Sequence, residues 1–255
     1  MPTFQGHRII HGQSLSDLRQ ILQPDVQLVT CPYPIGPRVL NFLASLDMPS
    51  LSSQWDKKGR YDDQALFISP RASWDKPRFG ETLVQATLAP FFQGFATHPD
   101  LPAFADCLHT MGGDVHQVLR PRQMNGALQL HAHGQTPDQE DPFHTDDSLC
   151  TVRALFTFLG KRRTLYRPHL QAPMHEIGAG LLSVHKSRLG GAALLHASPP
   201  IAAPQDNRLL YNIDMNGGDC PDSSLAAGIM RSFRASQPSF TGYRSKIDAH
   251  STRPG

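Results

Sequence analysis

The chain has 255 residues and a formal charge of +2, with 24 basic against 22 acidic side chains when histidine is neutral. Chains of about this size hide roughly 75% of their unfolded surface on folding, and one all-β domain of such length is common. The near-neutral balance gives no electrostatic footprint for nucleic acid, and no apolar run is long enough to span a bilayer.

Cys31, Cys107, Cys150 and Cys220 are far apart and form no C-x-x-C. Reduced thiols in a cytoplasmic protein are therefore expected. Residues 1–8 lack the basic-then-apolar layout of a signal peptide.

In chain order the pattern predicts a helical front and a β-rich back. Ser14 caps a helix over residues 15–22, with Asp17 in its first turn and Leu15, Leu18, Ile21 and Leu22 as an apolar stripe. Residues 26–29 read as a strand. Pro37 opens a second helix, where its missing N–H costs nothing, with Val39, Leu40, Phe42, Leu43 and Leu46 on its apolar face. Residues 49–80 are polar and rich in turn formers, with Trp55 and Trp74 embedded, and read as a covering loop. A helix is expected from Glu81 to about Leu88. Asp100 caps another over residues 101–111, stopped by Gly112-Gly113.

Beyond Gly113 the pattern becomes short strands at 115–119, 127–131, 152–159, 164–166, 181–185, 192–196 and 209–213, punctuated by glycine and proline. A last helix is expected over residues 223–233. Many short strands without intervening helices argue for a sandwich or closed barrel, not a parallel α/β sheet. The expected fold is mainly β, a double-stranded β-helix (jelly roll, cupin-like) with the N-terminal helices packed on it. Its parts are a helical portion and covering loop at 1–113, a metal-binding jelly-roll core at 114–245 and a tail at 246–255, together one structural domain.

The chemistry centres on His144-Thr145-Asp146. Residues two apart on a strand point to one side, so both side chains can reach one ion. His196, 50 residues beyond Asp146 on another expected strand, supplies a third ligand. Two histidines and a carboxylate on one face of a metal leave the opposite positions open, as a non-haem Fe(II) oxygenase needs for substrate and O₂. Arg208, 12 residues past His196, begins the next strand and can pair bidentately with a carboxylate. The order H-x-D, distal His, then Arg resembles the 2-oxoglutarate/Fe(II) oxygenase superfamily. That resemblance implies 2-oxoglutarate as the carboxylate held by Arg208. Thirteen histidines make H-x-D a frequent chance pattern, and packing is the commoner role of a strand histidine or arginine.

A wider resemblance covers most of residues 15–215, thinly between its motifs. Its motifs are the segment 22–29 with the proline-rich turn after it, Phe143-His144-Thr145-Asp146, then Arg153 on a strand, then Thr157-Phe158-Leu159-Gly160, then His196-Ala197-Ser198-Pro199-Pro200 followed by Arg208-Leu209-Leu210. In these the chain resembles a bacterial family named only as domain of unknown function 1826. Departures are Phe158, where the family usually has Tyr, and Lys161-Arg162-Arg163, where it has a Gly-rich turn. The family name implies no activity, so the chemistry rests on the residues.

Other groups have competing readings. His131 and His133, with Glu140 beyond, resemble a degenerate cupin motif and could join a third histidine in an all-His site of the thiol-dioxygenase kind. As exposed strand-end residues they would do nothing. His175, Glu176 and His185 read as surface residues, one of them a candidate neighbour of the metal. Arg153 and Lys161-Arg162-Arg163 could bind an acidic substrate, though the run reads more simply as a solvated turn. Tyr166 and Tyr211 are candidate pocket residues, with packing the commoner role.

The expected function is a non-haem Fe(II) dioxygenase acting on a small molecule with O₂, with 2-oxoglutarate a candidate co-substrate. His144, Asp146 and His196 hold the metal and Arg208 the carboxylate. The alternatives are a 2-oxoglutarate-independent enzyme oxidising cysteine or another thiol, and a non-catalytic zinc protein. No nucleic-acid or membrane partner is expected, and pairing of two copies through sheet edges is compatible with the fold.

Overall fold

A computed structural model describes residues 8–49, 65–68, 88, 92, 94–131, 143–146, 150–161, 163–199, 201 and 203–228. The front starts with β1 (Arg8–His11), a 3-10 helix over Leu15–Leu22 and β2 (Val26–Pro32). The helix expected after Ser14 forms, but as the tighter 3-10 type. Its entry is organised by Asp17, which accepts from the backbone N–H groups of Gln13 and Ser14 and from the Ser14 hydroxyl. Helix α1 (Pro37–Ser45) begins at the proline, as expected, and buries Val39, Phe42 and Leu43.

Two expectations are overturned. Residues 49–80 are not all loop, because β3 (Ala65–Ile68) pairs antiparallel with a later strand. Trp55, Trp74 and the expected helix at 81–87 lie outside the described residues. The helix expected to stop at Gly112-Gly113 continues as α2 (Leu101–Leu119), replacing the strand expected at 115–119. The buried series Leu101, Phe104, Ala105, Leu108, Met111, Val115 and Leu119 keeps helical spacing through the glycine pair. Each helical glycine costs about 1 kcal/mol against alanine, and burial of Val115 and Leu119 offsets it at about 1.5–3 kcal/mol per side chain. The turn comes at Arg120, which takes the left-handed conformation (φ 45°). The division expected at residue 113 thus falls inside a continuous helix.

The back contains β4 (Pro121–His131), β5 (Val152–Leu159), β6 (Leu165–Arg167), β7 (His175–Glu176), β8 (Leu181–Lys186), β9 (Leu195–Ala197) and β10 (Arg208–Gly218). A large sheet has the order β1-β2-β8-β5-β10-β4-β3, and a small one β7-β6-β9. The His144 segment joins the small sheet through a bridge to His196 on β9. From β4 onward the chain visits the sheets as large, small (His144), large, small, small, large, small, large. Two facing four-stranded antiparallel layers result, β8-β5-β10-β4 and β7-β6-β9-His144. That is the jelly-roll arrangement expected from the strand pattern.

The large sheet has two unlike faces. Cross-strand partners share a face, so register sorts the residues. Val29, Val184, Ala154 and Ile213 form one row on the outer face, with Tyr211, Phe156 and Leu128 in the next. These pack with Leu18 and Ile21 of the 3-10 helix, Phe42 of α1 and Phe104, Leu108 and Val115 of α2 in one apolar core. The inner face carries Asp214, Arg153, His185 and Leu28 in one row. Asn212, Leu155, Ser183 and Thr30 make the second, Gln129, Leu210 and Thr157 the third, and His131 with Arg208 the last. Among the described residues no helix is long and apolar enough to cross a membrane.

Candidate metal centre

The backbone brings two of the expected ligands together. The N–H of His144 donates to the His196 carbonyl at 3.0 Å, and the N–H of His196 to the His144 carbonyl at 2.9 Å. Residues paired this way project to one side, and the two imidazole centroids stand 4.6 Å apart. Asp146, two residues on, adds its carboxylate. One ligand atom from each of His144, Asp146 and His196 lies within 4.8 Å of the other two. His144 is exposed and His196 buried, so the cluster opens to solvent on the His144 side.

The protonation states suit a cation. Burial, and then the neighbouring His185, push the His196 imidazole down to about 3, so its ring is neutral with a free lone pair near neutral pH. Burial alone would raise the Asp146 carboxyl. The Arg153 charge and a His185 hydrogen bond more than offset that and hold it well below the usual carboxylate range. A neutral imidazole and an ionised carboxylate are the forms that bind divalent metal.

Three residues support Asp146 from outside the ligand set: the sequence assigns no such role to Arg153 or Asp214, and offers His185 as one of three candidate neighbours of the metal. Arg153 donates from Nη1 to Asp146 Oδ1 at 2.7 Å, and from Nε and Nη2 to the two oxygens of Asp214 at 2.6 and 3.2 Å. His185, only 2% exposed, places Nε2 3.1 Å from Asp146 Oδ2, the oxygen that also faces His196 Nε2 at 3.6 Å. Arg153 therefore answers two carboxylates of its own chain, which already use the charge once read as free for an acidic substrate. One signal was present: a lone charged residue, Arg153, inside the largely apolar strand Val152–Leu159 demands an anionic partner.

Arg208 heads β10, 1% exposed, and donates from Nη2 to Thr164 Oγ1 at 3.1 Å. Thr164 precedes β6, whose Tyr166 is the cross-strand partner of His196. Gly160 lets the arginine pass: a Cβ there would lie 2.6 Å from Arg208 Cγ, and its φ of +121° is one that side chains rarely adopt. The Gly160 and Arg208 motifs, 48 residues apart in sequence, thus meet.

The remaining candidates separate. His131 lies opposite Arg208, where burial and the Arg208 charge push its imidazole down to about 3. It is not in the ligand cluster, and His133 and Glu140 lie outside the described residues. His175 and Glu176 are exposed. Lys161 pairs with Asp206 on the surface at 2.8 Å. Tyr211 belongs to the helix-facing core, and Tyr166 packs with Leu28, Ile177 and Leu194.

No family model matches the sequence. No curated protein matches it either. Solved structures resemble the chain loosely. A rice dioxygenase for auxin oxidation is 10% identical, with 86% of this chain and 87% of that one covered and a TM-score of 0.45. Full-length T7H of Neurospora crassa, solved with alpha-KG and 5-formyluracil, is 11% identical over 92% and 98%, with a TM-score of 0.46. A Pseudomonas putida prolyl-4-hydroxylase is 10% identical over 79% and 98%, with a TM-score of 0.39. At such scores the meaning of the centre rests on its own geometry.

Proposed function

We propose that this chain is a non-haem Fe(II)-dependent oxygenase acting on a small molecule with O₂, using 2-oxoglutarate as co-substrate. The observation that carries it is the convergence of His144, Asp146 and His196 within 4.8 Å, at the end of a polar inner face. Two imidazoles and one carboxylate suit a divalent ion and leave coordination positions open, whereas a purely structural zinc site closes with four protein ligands. Fe(II) in such a face supplies the electrons that make O₂ reactive.

The chain's own residues do the rest. Neutral His196, exposed His144 and ionised Asp146 present the donors. Arg208 supplies a guanidinium fork for a carboxylate of 2-oxoglutarate, with Thr164 Oγ1 beside it as a second polar contact. The thiol-oxidising alternative has weaker support, since His131 stands beside Arg208 and outside the ligand cluster. The four cysteines are free, three of them buried, which supports a reducing compartment such as the cytoplasm.

The test is anaerobic loading of the full chain with Fe(II), followed by metal quantification in wild type and His144→Ala. About one equivalent is expected in wild type and a loss of at least tenfold in affinity in the variant. Equal stoichiometry in the two removes the reading. Succinate release from 2-oxoglutarate then separates the proposed chemistry from a co-substrate-independent oxygenase, and O₂ uptake with Fe(II) but not Zn²⁺ separates it from a zinc protein.

A further inference from the structure

We propose that Arg153, locked by Asp214, is the positioning residue of the centre: it takes Oδ1 of Asp146 for the sheet and leaves Oδ2 as the one oxygen offered to the metal. The inference rests on the reading of His144, Asp146 and His196 as ligands and deepens it.

The geometry divides the two oxygens of Asp146 cleanly. Oδ1 accepts from Arg153 Nη1 at 2.7 Å. Oδ2 accepts from His185 Nε2 at 3.1 Å and faces His196 Nε2 at 3.6 Å, so its second lone pair is the one left for a cation. The guanidinium that fixes Oδ1 is itself fixed, since Nε and Nη2 straddle the carboxylate of Asp214. Its donors lie in one rigid plane, so anchoring two of them aims the third.

The anchor stands on firm ground. Arg153 and Asp214 are direct partners across β5 and β10, and His185 is the partner of Arg153 across β8. One cross-strand row of the large sheet therefore carries every side chain named here that grips Asp146 from outside the ligand set. Asp146 itself stands on the segment after the His144 bridge, with its carbonyl accepting from the Arg188 N–H at 3.0 Å. The row transfers the rigidity of the large sheet to a ligand that stands outside it.

Two consequences follow. A carboxylate with both oxygens free can chelate a metal and fill a further position. With Oδ1 committed, that position stays available to incoming ligands. Asp146 and Asp214 also share one guanidinium, which leaves a single net negative charge beside the cation. A lysine at 153 would keep the charge but not the fork, because an ammonium is a point donor without a fixed plane.

Co(II) is the probe, since its visible absorption reports coordination number. It is titrated into the metal-free full chain as wild type, Arg153→Lys, Asp214→Asn and His144→Ala, with near-UV circular dichroism confirming the fold of each. Arg153→Lys is expected to weaken Co(II) binding about 10–100-fold, as loss of a ligand's supporting partner typically does, with Asp214→Asn losing less. Arg153→Lys is also expected to dim the visible bands, as the released Oδ1 raises the coordination number. That spectral change would not accompany a merely structural defect. Unchanged affinity and spectrum in folded Arg153→Lys overturns the inference. If that variant does not fold, the same result in Asp214→Asn overturns it. The ligand reading survives either outcome provided His144→Ala loses Co(II). No uptake by wild type overturns both.

Discussion

The two faces of the large sheet are built from the same strands and do opposite work. The outer face, with Val29, Val184, Ala154, Phe156, Tyr211 and Ile213, is closed by the 3-10 helix, α1 and α2 into a dry core. The inner face, one residue out of step on every strand, carries His185, Arg153, Asp214, Asn212, Thr157, Arg208 and His131. Alternation with period two makes the division possible. Stability is thereby concentrated where the helices lie, which frees the opposite side to hold charges and neutral histidines that weaken a core but suit a reaction chamber.

The largest expected effect breaks the comparison with acid. His131 and His196 are held neutral on the inner side, with folded values of about 3 against 6.5 when unconstrained. The unfolded chain thus binds more protons than the folded one between those limits. Stability is present above pH 6.5 and lost as pH falls toward 3, at about 1.4 kcal/mol per pH unit for each such histidine. The lowered Asp146 adds loss of the same sign only below about pH 4. Urea midpoints of the metal-free protein from pH 7 to 5 check this. His131→Gln, which spares the ligands, is expected to remove about one proton's worth of slope. A flat profile in wild type would mean that the inner face is wetter than its burial implies.

Next in size is a probe of the outer face. Phe104 of α2 stacks edge-on against Phe158 of β5 at 5.0 Å and also meets Phe42 and Phe92. Phe104→Ala is expected to cost about 3–5 kcal/mol in denaturant unfolding. Co(II) affinity of the folded fraction should not change, because no inner-face side chain loses a partner. A parallel drop in metal affinity would show that the faces are coupled.

The same division decides what could be read from the chain. Val152–Leu159 was legible to the residue because β-branched and aromatic residues run between clear turn signals. The convergence of His144, Asp146 and His196 was legible as spacing, which needs no knowledge of register. The length of α2 was not, since Gly112-Gly113 carries a stop signal that the burial of Val115 and Leu119 overrides. Nor were the roles of Arg153 and Asp214, and His185 was only one of three candidate neighbours of the metal. Arg153 and Asp214 are 61 residues apart, and only the register of β5 against β10 makes them neighbours. Period two reveals which residues share a face, but pairing across strands is a tertiary fact.

The smallest effect sharpens the comparison at the point where a backbone conformation serves the inner face. Gly160 ends β5 at φ +121°, and a methyl group there would press on Cγ of Arg208 at 2.6 Å. Gly160→Ala is expected to cost on the order of 1–3 kcal/mol through backbone strain. Arg208 is forced off Thr164 Oγ1 at the same time, so 2-oxoglutarate should bind about tenfold more weakly by calorimetry while Co(II) affinity stays at the wild-type value. Loss of both ligands together would mean that the Arg208 end and the metal end of the chamber respond as one unit. Loss of stability alone, with 2-oxoglutarate binding intact, would mean that Arg208 tolerates the displacement and that Gly160 serves only the turn.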